Sequence, residues 1–486
     1  MKLKTEHILI ILIFLLTLGF RLYFSLGNEV FNSDQAYHNF RTIQNIINEK
    51  ALPQHDSLSY GGREIVYPSL FNILLAILSF GSITILKVLT EIMASSLVII
   101  IYLIAKDMSN NNYSALFSSL LSAFIPGLIT DTVNNLSAFS LALPIFFLLL
   151  YLFLRLENKE LLLIFIALIF LLAATDATVF IFILTIIFYF LLISGGALNA
   201  SRIEKEAAIS SSLVIILISL IIYKKAFLVY GIKTIWQNAP ANIVVDSFRN
   251  FSPLDLILNV GIVSLLLGSA GLYLGIKRER KKTVYLFSAF MLCILFLLSF
   301  RLITLAAGLI FFGIGFAIFS SLAMKHMYDF LERSKLESTE LVLTIIFIIF
   351  FVAFSLIPSY NTIGNIGKIN QEKINDMMQL RNSAEINATV LGNIREGNLI
   401  TAIALRKNVL DSNFLLAPSP VERQNDAKLM YTGLSEAKAL ELAKKYKINI
   451  IYLSEDTKAL YGITSLKYSE GGRCFIKEGN FYVVKC

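Results

Sequence analysis

Apolar runs near the ~20 residues that cross a bilayer recur from the N-terminus to about residue 358, and they leave this chain few ways to fold. Backbone in lipid must satisfy its own hydrogen bonds, so each run is expected to be a helix. We count eleven runs, near 7–26, 83–105, 113–130, 138–155, 160–174, 177–194, 209–229, 255–276, 283–300, 302–323 and 340–358. Hydrophobic residues make up 56% of the 486 and charged residues only 16%, which excludes a soluble globular protein. The first run follows Lys2 and Lys4 and is not followed by a small-residue cleavage pattern, so it reads as a retained span.

The loops give the chain a direction. With a cytoplasmic N-terminus, the inner loops carry Lys106, Arg155 with Lys159, Arg202 with Lys205, the basic run Lys277 to Lys282, and Lys325 to Lys335. That is what the positive-inside rule expects. The net charge of +8 therefore reports membrane orientation rather than a nucleic-acid partner. An odd number of spans carries residues 359–486 outside, together with the loops at 28–82, 131–137 and 230–254. The expected fold is a polytopic α-helical membrane domain, 1–358, and a small extracytoplasmic α/β domain, 359–486.

In that second part, Asn387 to Gly392 reads as a strand, Leu399 to Leu405 as a short helix, and NVLDSNF as strand-like. Ser435 to Lys447 reads as an amphipathic helix with Ser435 as N-cap. The apolar run Ile448 to Leu453 follows, and CFIKEGNFYVVKC closes the chain as a hairpin. A disulfide between Cys474 and Cys486 stays open, because strand register can forbid it; Cys293 lies in an apolar run and reads as packing. The chain has no CxxC, no HExxH and no Gly-rich phosphate loop.

The largest polar stretch between runs is Asn32 to Pro68, NSDQAYHNFRTIQNIINEKALPQHDSLSYGGREIVYP. It reads as an acidic turn, a helix from about Tyr37 to Lys50, and a Pro-containing loop. Ile43, Ile46, Ile47 and Leu52 give the helix an apolar face suited to lying flat on a membrane. Pro68 to Phe80 is apolar but short, and reads as an interfacial or re-entrant helix.

SDQAYHNFR, LPQHDSLSY and YPSLFNILLAIL resemble the first external loop of the GT-C glycosyltransferases, nearest the catalytic subunit of archaeal oligosaccharyltransferase. The resemblance implies transfer of sugar from a polyprenyl-phosphate or -diphosphate carrier to a glycan, lipid or protein acceptor at the outer membrane face. It sets Asp34 beside the metal and the acceptor nucleophile, with Tyr37, His38 and Asp56 as further candidates in this loop. Such chemistry needs a carboxylate to position the nucleophile and a cation to offset charge on the leaving phosphate.

Further matches and departures follow in order. In FIPGLITDTVNNLSAFSLALP the family's second acidic pair falls on Asn135 and Ser137, with Asp131 four residues upstream of Asn135. Thr234-Ile235-Trp236-Gln237 matches the family's Thr-Ile-x-Glu in a mobile external loop, Gln replacing Glu. Arg301 matches an Arg that faces the carrier phosphate; guanidinium suits phosphate because it stays charged and offers fixed donors. The sequon reader Trp-Trp-Asp-x-Gly falls on Asn393, Ile394, Arg395, Glu396 and Gly397, where only the Gly survives. A hard cation prefers several carboxylates. The expectation is thus weak Mg2+ or Mn2+ binding through Asp34, Asp131, Asn135 and Gln237, or catalysis by Asp34 as a base without metal. Three alternatives stand beside this: a divergent oligosaccharyltransferase, a non-catalytic subunit that binds carrier lipid or a partner, and a transporter.

Overall fold

A computed structural model describes residues 5–66, 69–196, 198–249, 252–333, 339–469 and 473–486. Among these residues, six helices are long and apolar enough to cross a membrane: Thr5–Gly27, Ile83–Ser109, Arg202–Val245, Lys282–Ser299, Leu305–Arg333 and Thr344–Gly364. Two bent pairs raise the number to 8. Asn112–Ala123 meets Pro126–Thr132 at 50°, where Pro126 has no N–H to continue the helical ladder. Pro253–Val260 meets Ile262–Arg278 at 79°, across Gly261 at φ +89°. The other three expected spans are the helices Phe139–Phe153, Lys159–Thr175 and Val179–Gly195, of 15, 17 and 17 residues. Each rises only ~22–26 Å, less than the ~30 Å hydrocarbon core, so length carries the count to eight and not to eleven. The protein is an integral membrane protein.

The basic loops gather at one end of the bundle. Lys106 lies 3.5 Å from Glu6, Lys282 2.7 Å from Glu204 and Lys325 2.6 Å from Glu279, and Arg155 pairs with Asp107. The opposite end carries Asn32 to Glu64, the 131–137 loop, Arg301 and the sheet. Within the bundle, helices Ile262–Arg278 and Leu305–Arg333 lie close together. A Cβ on Gly271 would sit 1.9 Å from the Phe319 carbonyl oxygen, the small-residue contact that membrane helices favour.

The last long helix does not stop at Pro358. Thr339–Phe351 runs through a widened turn, Val352–Leu356, into Ile357–Ser383. Proline breaks a helical ladder, and a π turn beside it can absorb the break.

Two strands form a hairpin in the first polar stretch: β1 (His55–Asp56) and β2 (Arg63–Glu64). The second sheet holds β3 (Thr389–Leu391), β4 (Lys407–Asn408), β5 (Ile448–Tyr452), β6 (Phe475–Glu478) and β7 (Phe481–Val484), in the order β4-β3-β5-β7-β6. β3 is parallel to both neighbours, whereas β5, β7 and β6 are antiparallel. The expected hairpin is present, and Cys474 is bonded to Cys486 with Cα atoms 5.2 Å apart. Ser435 caps helix Glu436–Tyr446. NVLDSNF supplies only one strand residue, Asn408, because Asp411 turns the chain by accepting from the Asn413 N–H at 2.9 Å. Helices Pro420–Thr432 and Glu455–Tyr461 were not foreseen.

One hydrophobic cluster fills the bundle. Another joins the first polar stretch to the far end of the chain: Ile43, Phe71 and Leu75 pack with Leu380, Ile400 and Tyr452. The apolar face of helix Asp34–Glu49 therefore meets protein rather than lipid; Leu52, expected on that face, lies beyond the helix end and is exposed.

Candidate active site

Helix Asp34–Glu49 starts three residues earlier than its apolar pattern indicates, because Ser33 caps it by accepting from the Ala36 N–H. The Ser33 hydroxyl also donates to Asn135 Oδ1 at 2.7 Å. Asp34 is thus the first helical residue. Its Oδ2 accepts from Asn398 Nδ2 at 2.7 Å and its Oδ1 from the Leu399 N–H at 2.9 Å. The turn that carries both donors packs at Gly397 against the 410–411 segment, where a Cβ would lie 2.2 Å from the Leu410 carbonyl oxygen. Asp34 keeps some accessible surface although protein surrounds it. Burial pushes its carboxyl up to about 7, against the lowering bonds from Leu399 and Asn398, and nearby Asp411 adds to the rise.

The 131–137 loop is closed on itself. Asp131 accepts from the Ser137 hydroxyl at 2.8 Å, and its carbonyl accepts from Asn135 Nδ2 at 2.7 Å. So Asp131 bonds to both positions where the family's acidic pair falls, and Asn135 links the loop to Ser33. Asn134, at φ +51°, donates its N–H to Glu91 Oε1 at 2.7 Å, and Glu91 pairs with Arg21.

Tyr37 is buried, and its hydroxyl accepts from the Phe31 N–H at 3.0 Å. Asp56 receives two bonds from Arg41, one at 2.9 Å, and accepts from the Leu58 and Ser59 N–H groups. Burial raises its carboxyl, but Arg41 outweighs that and leaves it below its ordinary range. Among the described residues, His38 Nδ1 has no hydrogen-bond partner. Burial, then Arg63 and Arg41, push the imidazole down to about 4, so it is neutral near pH 7.

The β1–β2 turn plugs into the 408–413 segment. Ser59 donates to Asp411 Oδ2 at 2.5 Å, the Tyr60 N–H to Asn408 Oδ1 at 2.6 Å, and Arg63 to the Asn413 carbonyl. Asn398 is not singled out by the sequence, whereas Asn408 and Asp411 lie in Leu405 to Asn408 and Asp411 to Asn413, which match the family in character without indicating a role. Lone amides and acids carry no local signal; the one available cue is the polar run Asp411-Ser412-Asn413 following the Asn393–Gly397 stretch.

Thr234 is buried, its hydroxyl unpartnered among the described residues, whereas Trp236 and Gln237 are exposed, Gln237 at φ +51°. No hydrogen bond joins the three to Asp34 or Asp131 among the described residues. Their segment docks instead on residues 414–417, where Asn238 Nδ2 donates to the Phe414 carbonyl at 3.4 Å and the Tyr230 hydroxyl to the Ala417 carbonyl at 3.3 Å. A cavity of about 820 Å³ lies beside these contacts, lined by residues including Tyr230, Lys233, Asn238, Ser419 and Glu422. Arg301 occupies the turn between Lys282–Ser299 and Leu305–Arg333, at φ +54°. Its guanidinium is exposed, 5.7 Å from the Phe248 ring, and pairs with no carboxylate among the described residues.

The donor set does not fit a cation cage. Among the described residues no three of His, Cys, Asp and Glu gather. The proposed ligands Asp34, Asp131 and Asn135 are all bonded to protein groups, and Gln237 stands apart.

No family model matches the chain, and no curated protein matches it. Solved structures do. Archaeal oligosaccharyltransferase AglB from Archaeoglobus fulgidus, in complex with an inhibitory peptide and a dolichol-phosphate, superposes with a TM-score of 0.66 at 13% identity, covering 91% of this chain and 69% of that one. ArnT from Cupriavidus metallidurans, bound to undecaprenyl phosphate, gives 0.56 at 12% identity over 98% and 97%. The chain has the GT-C fold.

A second Archaeoglobus fulgidus oligosaccharyltransferase structure, a complex with Zn and sulfate, gives 0.62 at 14% identity over 90% of this chain and 67% of that one. Within this GT-C fold, Asn393 and Glu396 of the stretch aligned with the sequon reader face inward, whereas Arg395 is exposed. Asn393 donates to Thr457 at 2.8 Å, and buried Glu396 accepts from the Ser454 and Thr457 hydroxyls. Burial pushes Glu396 up to about 7, against the lowering bond from Ser454 and the charge of Lys373.

Proposed function

We propose that the protein is a membrane glycosyltransferase that moves a sugar or oligosaccharide from a polyprenyl-phosphate-linked donor to an acceptor at the extracytoplasmic face. The observation that carries this reading is Asp34: partly open, held near neutrality, and contacted by the 398–399 turn while its neighbour Ser33 bonds the 131–137 loop, in a chain of GT-C fold. The dolichol-phosphate and undecaprenyl phosphate held by AglB and ArnT support the class of donor.

Asp34 takes the proton of the acceptor group as that group attacks the anomeric carbon, and the bond from this carbon to the carrier phosphate breaks. Arg301, an exposed cation at the same end of the bundle, offsets the charge on the departing phosphate. The 230–254 loop with Trp236 and Gln237 closes over the site, and neutral His38 lines it. Eleven passes follow if the three shorter helices also cross, with residues 1–358 as the membrane part. The N-terminus is then cytoplasmic and residues 359–486 are extracytoplasmic, a division of compartment that one continuous helix can cross.

The test is transfer in membranes supplied with total lipid-linked sugars from the source organism. Asp34→Ala abolishes transfer, and Arg301→Ala raises the KM for donor; undiminished transfer by Asp34→Ala would overturn the reading. The peptide held by AglB favours one alternative, a divergent protein oligosaccharyltransferase. The inward-facing Asn393 and Glu396 weigh against it, and a labelled Asn-x-Thr peptide compared with Asn-x-Ala decides. A non-catalytic subunit is indicated if carrier lipid co-purifies but no donor supports transfer.

A further inference from the structure

We propose that Asn398 and the Leu399 N–H do for Asp34 what a divalent cation would otherwise do, holding both of its oxygens so that the site works without bound metal. The catalytic consequence rests on the glycosyltransferase reading above; the geometry does not. The Asn398 side chain is fully buried and its orientation is fixed from several sides. Its Oδ1 accepts from Asn413 Nδ2 at 3.1 Å, and its Nδ2 lies 3.3 Å from Ser412 Oγ as well as 2.7 Å from Asp34. Asn408 Nδ2 donates to the Gly397 carbonyl at 2.8 Å and to Asp411 at 3.0 Å, so the turn carrying both donors is itself pinned.

A cation approaching Asp34 on the side of this turn meets the positive ends of two N–H dipoles. The oxygens expected to complete its shell are engaged elsewhere, Asp131 with Ser137 and Asn135 with Ser33. Mg2+ and Mn2+ are held by at least one or two carboxylates with water filling the rest of the shell, and both oxygens of the one carboxylate at this corner already accept N–H bonds. Asn398 is therefore a positioning residue, 364 residues from the carboxylate it orients.

Mn2+ titrated into the purified full-length protein, followed by electron paramagnetic resonance, tests this without any transfer assay. Wild type and Asp34→Asn are expected to bind Mn2+ alike. Asn398→Asp sets a second carboxylate against the first, and such a pair either shares a proton or takes a cation. That variant is expected to gain one Mn2+ at least about tenfold tighter than wild type, and to lose it when Asp34→Asn is added. In membranes, wild-type transfer is unaffected by EDTA. Asn398→Ala lowers it about tenfold or more, the loss expected for one hydrogen bond to a charged group. A wild-type Mn2+ site that Asp34→Asn removes, or a folded Asn398→Asp that gains none, overturns the proposal. Should Asn398→Asp fail to fold, the wild-type and Asp34→Asn titrations decide alone. Absence of transfer from every donor sinks the enzymatic reading, while the Mn2+ titrations still decide this one.

Discussion

Replacing Arg21 by Met should destabilise the protein more than replacing Arg21 and Glu91 together. Arg21 Nε donates to Glu91 Oε2 at 2.8 Å and a second nitrogen donates to Thr132 Oγ1 at 2.8 Å. The two side chains are only 2% and 0% exposed. Arg21→Met leaves the Glu91 carboxylate buried without its countercharge, which costs about 3–5 kcal/mol. Arg21→Met with Glu91→Leu removes both charges. Thr132 still donates to the Leu128 carbonyl, so the Asn134 N–H is the main group left without an acceptor. One such orphan costs about 1–3 kcal/mol, so the double variant should be the milder by ~2 kcal/mol. Equilibrium unfolding of the detergent-solubilised protein in SDS gives the order directly. The single variant should also lower transfer, because Glu91 anchors the loop that reaches Ser33. A double variant as unstable as Arg21→Met, or more so, would refute the reasoning, since removing the orphaned carboxylate would then have relieved nothing.

Transfer should fall as pH drops through about 7, because a base must be ionised and burial holds the Asp34 carboxyl that high; a pH–rate profile whose acid limb lies near ordinary carboxylate values contradicts it. Glu396, raised to about 7, binds a proton in the folded state that the unfolded chain releases. Its stabilising effect is complete below its ordinary range and is lost as pH rises towards 7, by up to about 3 kcal/mol. Thermal melts on either side of this window should show Glu396→Gln flattening the dependence. Gly397→Ala should cost at least ~1–3 kcal/mol and abolish transfer, because its Cβ meets the Leu410 carbonyl oxygen and Asp411 Cβ at 2.2 and 2.5 Å; soluble yield and activity report both effects.

Hydropathy made the membrane class legible, and the basic loops could be grouped on one face before any contact was known. The terminal hairpin and the Ser435 cap were equally readable, because turn residues and caps act within a few positions. Other features were not. Ile43 and Ile46 look the same in sequence whether they meet lipid or protein, and here they face the 374–404 segment. Pro358 reads as a stop, yet the helix passes it through a widened turn. Tyr37 and Asp56 stand in the right stretch, but their bonds run to Phe31, Arg41 and the Leu58–Ser59 turn.

By itself, then, the sequence determined that the chain lies in a membrane as helices, that its basic loops group on one side of the spans, and that Asp34 lies in the largest polar stretch between them. These follow from composition over ~20 residues and from capping over three or four. Only the tertiary structure decided what Asp34 touches. Its partners, Asn398 and Leu399, are a single amide and a backbone N–H more than 360 residues away. Such a bond leaves no periodicity in the sequence; the shared core of Ile43, Phe71 and Ile400 holds the two segments together, and Gly397 lets the turn with both donors sit against Leu410 and Asp411.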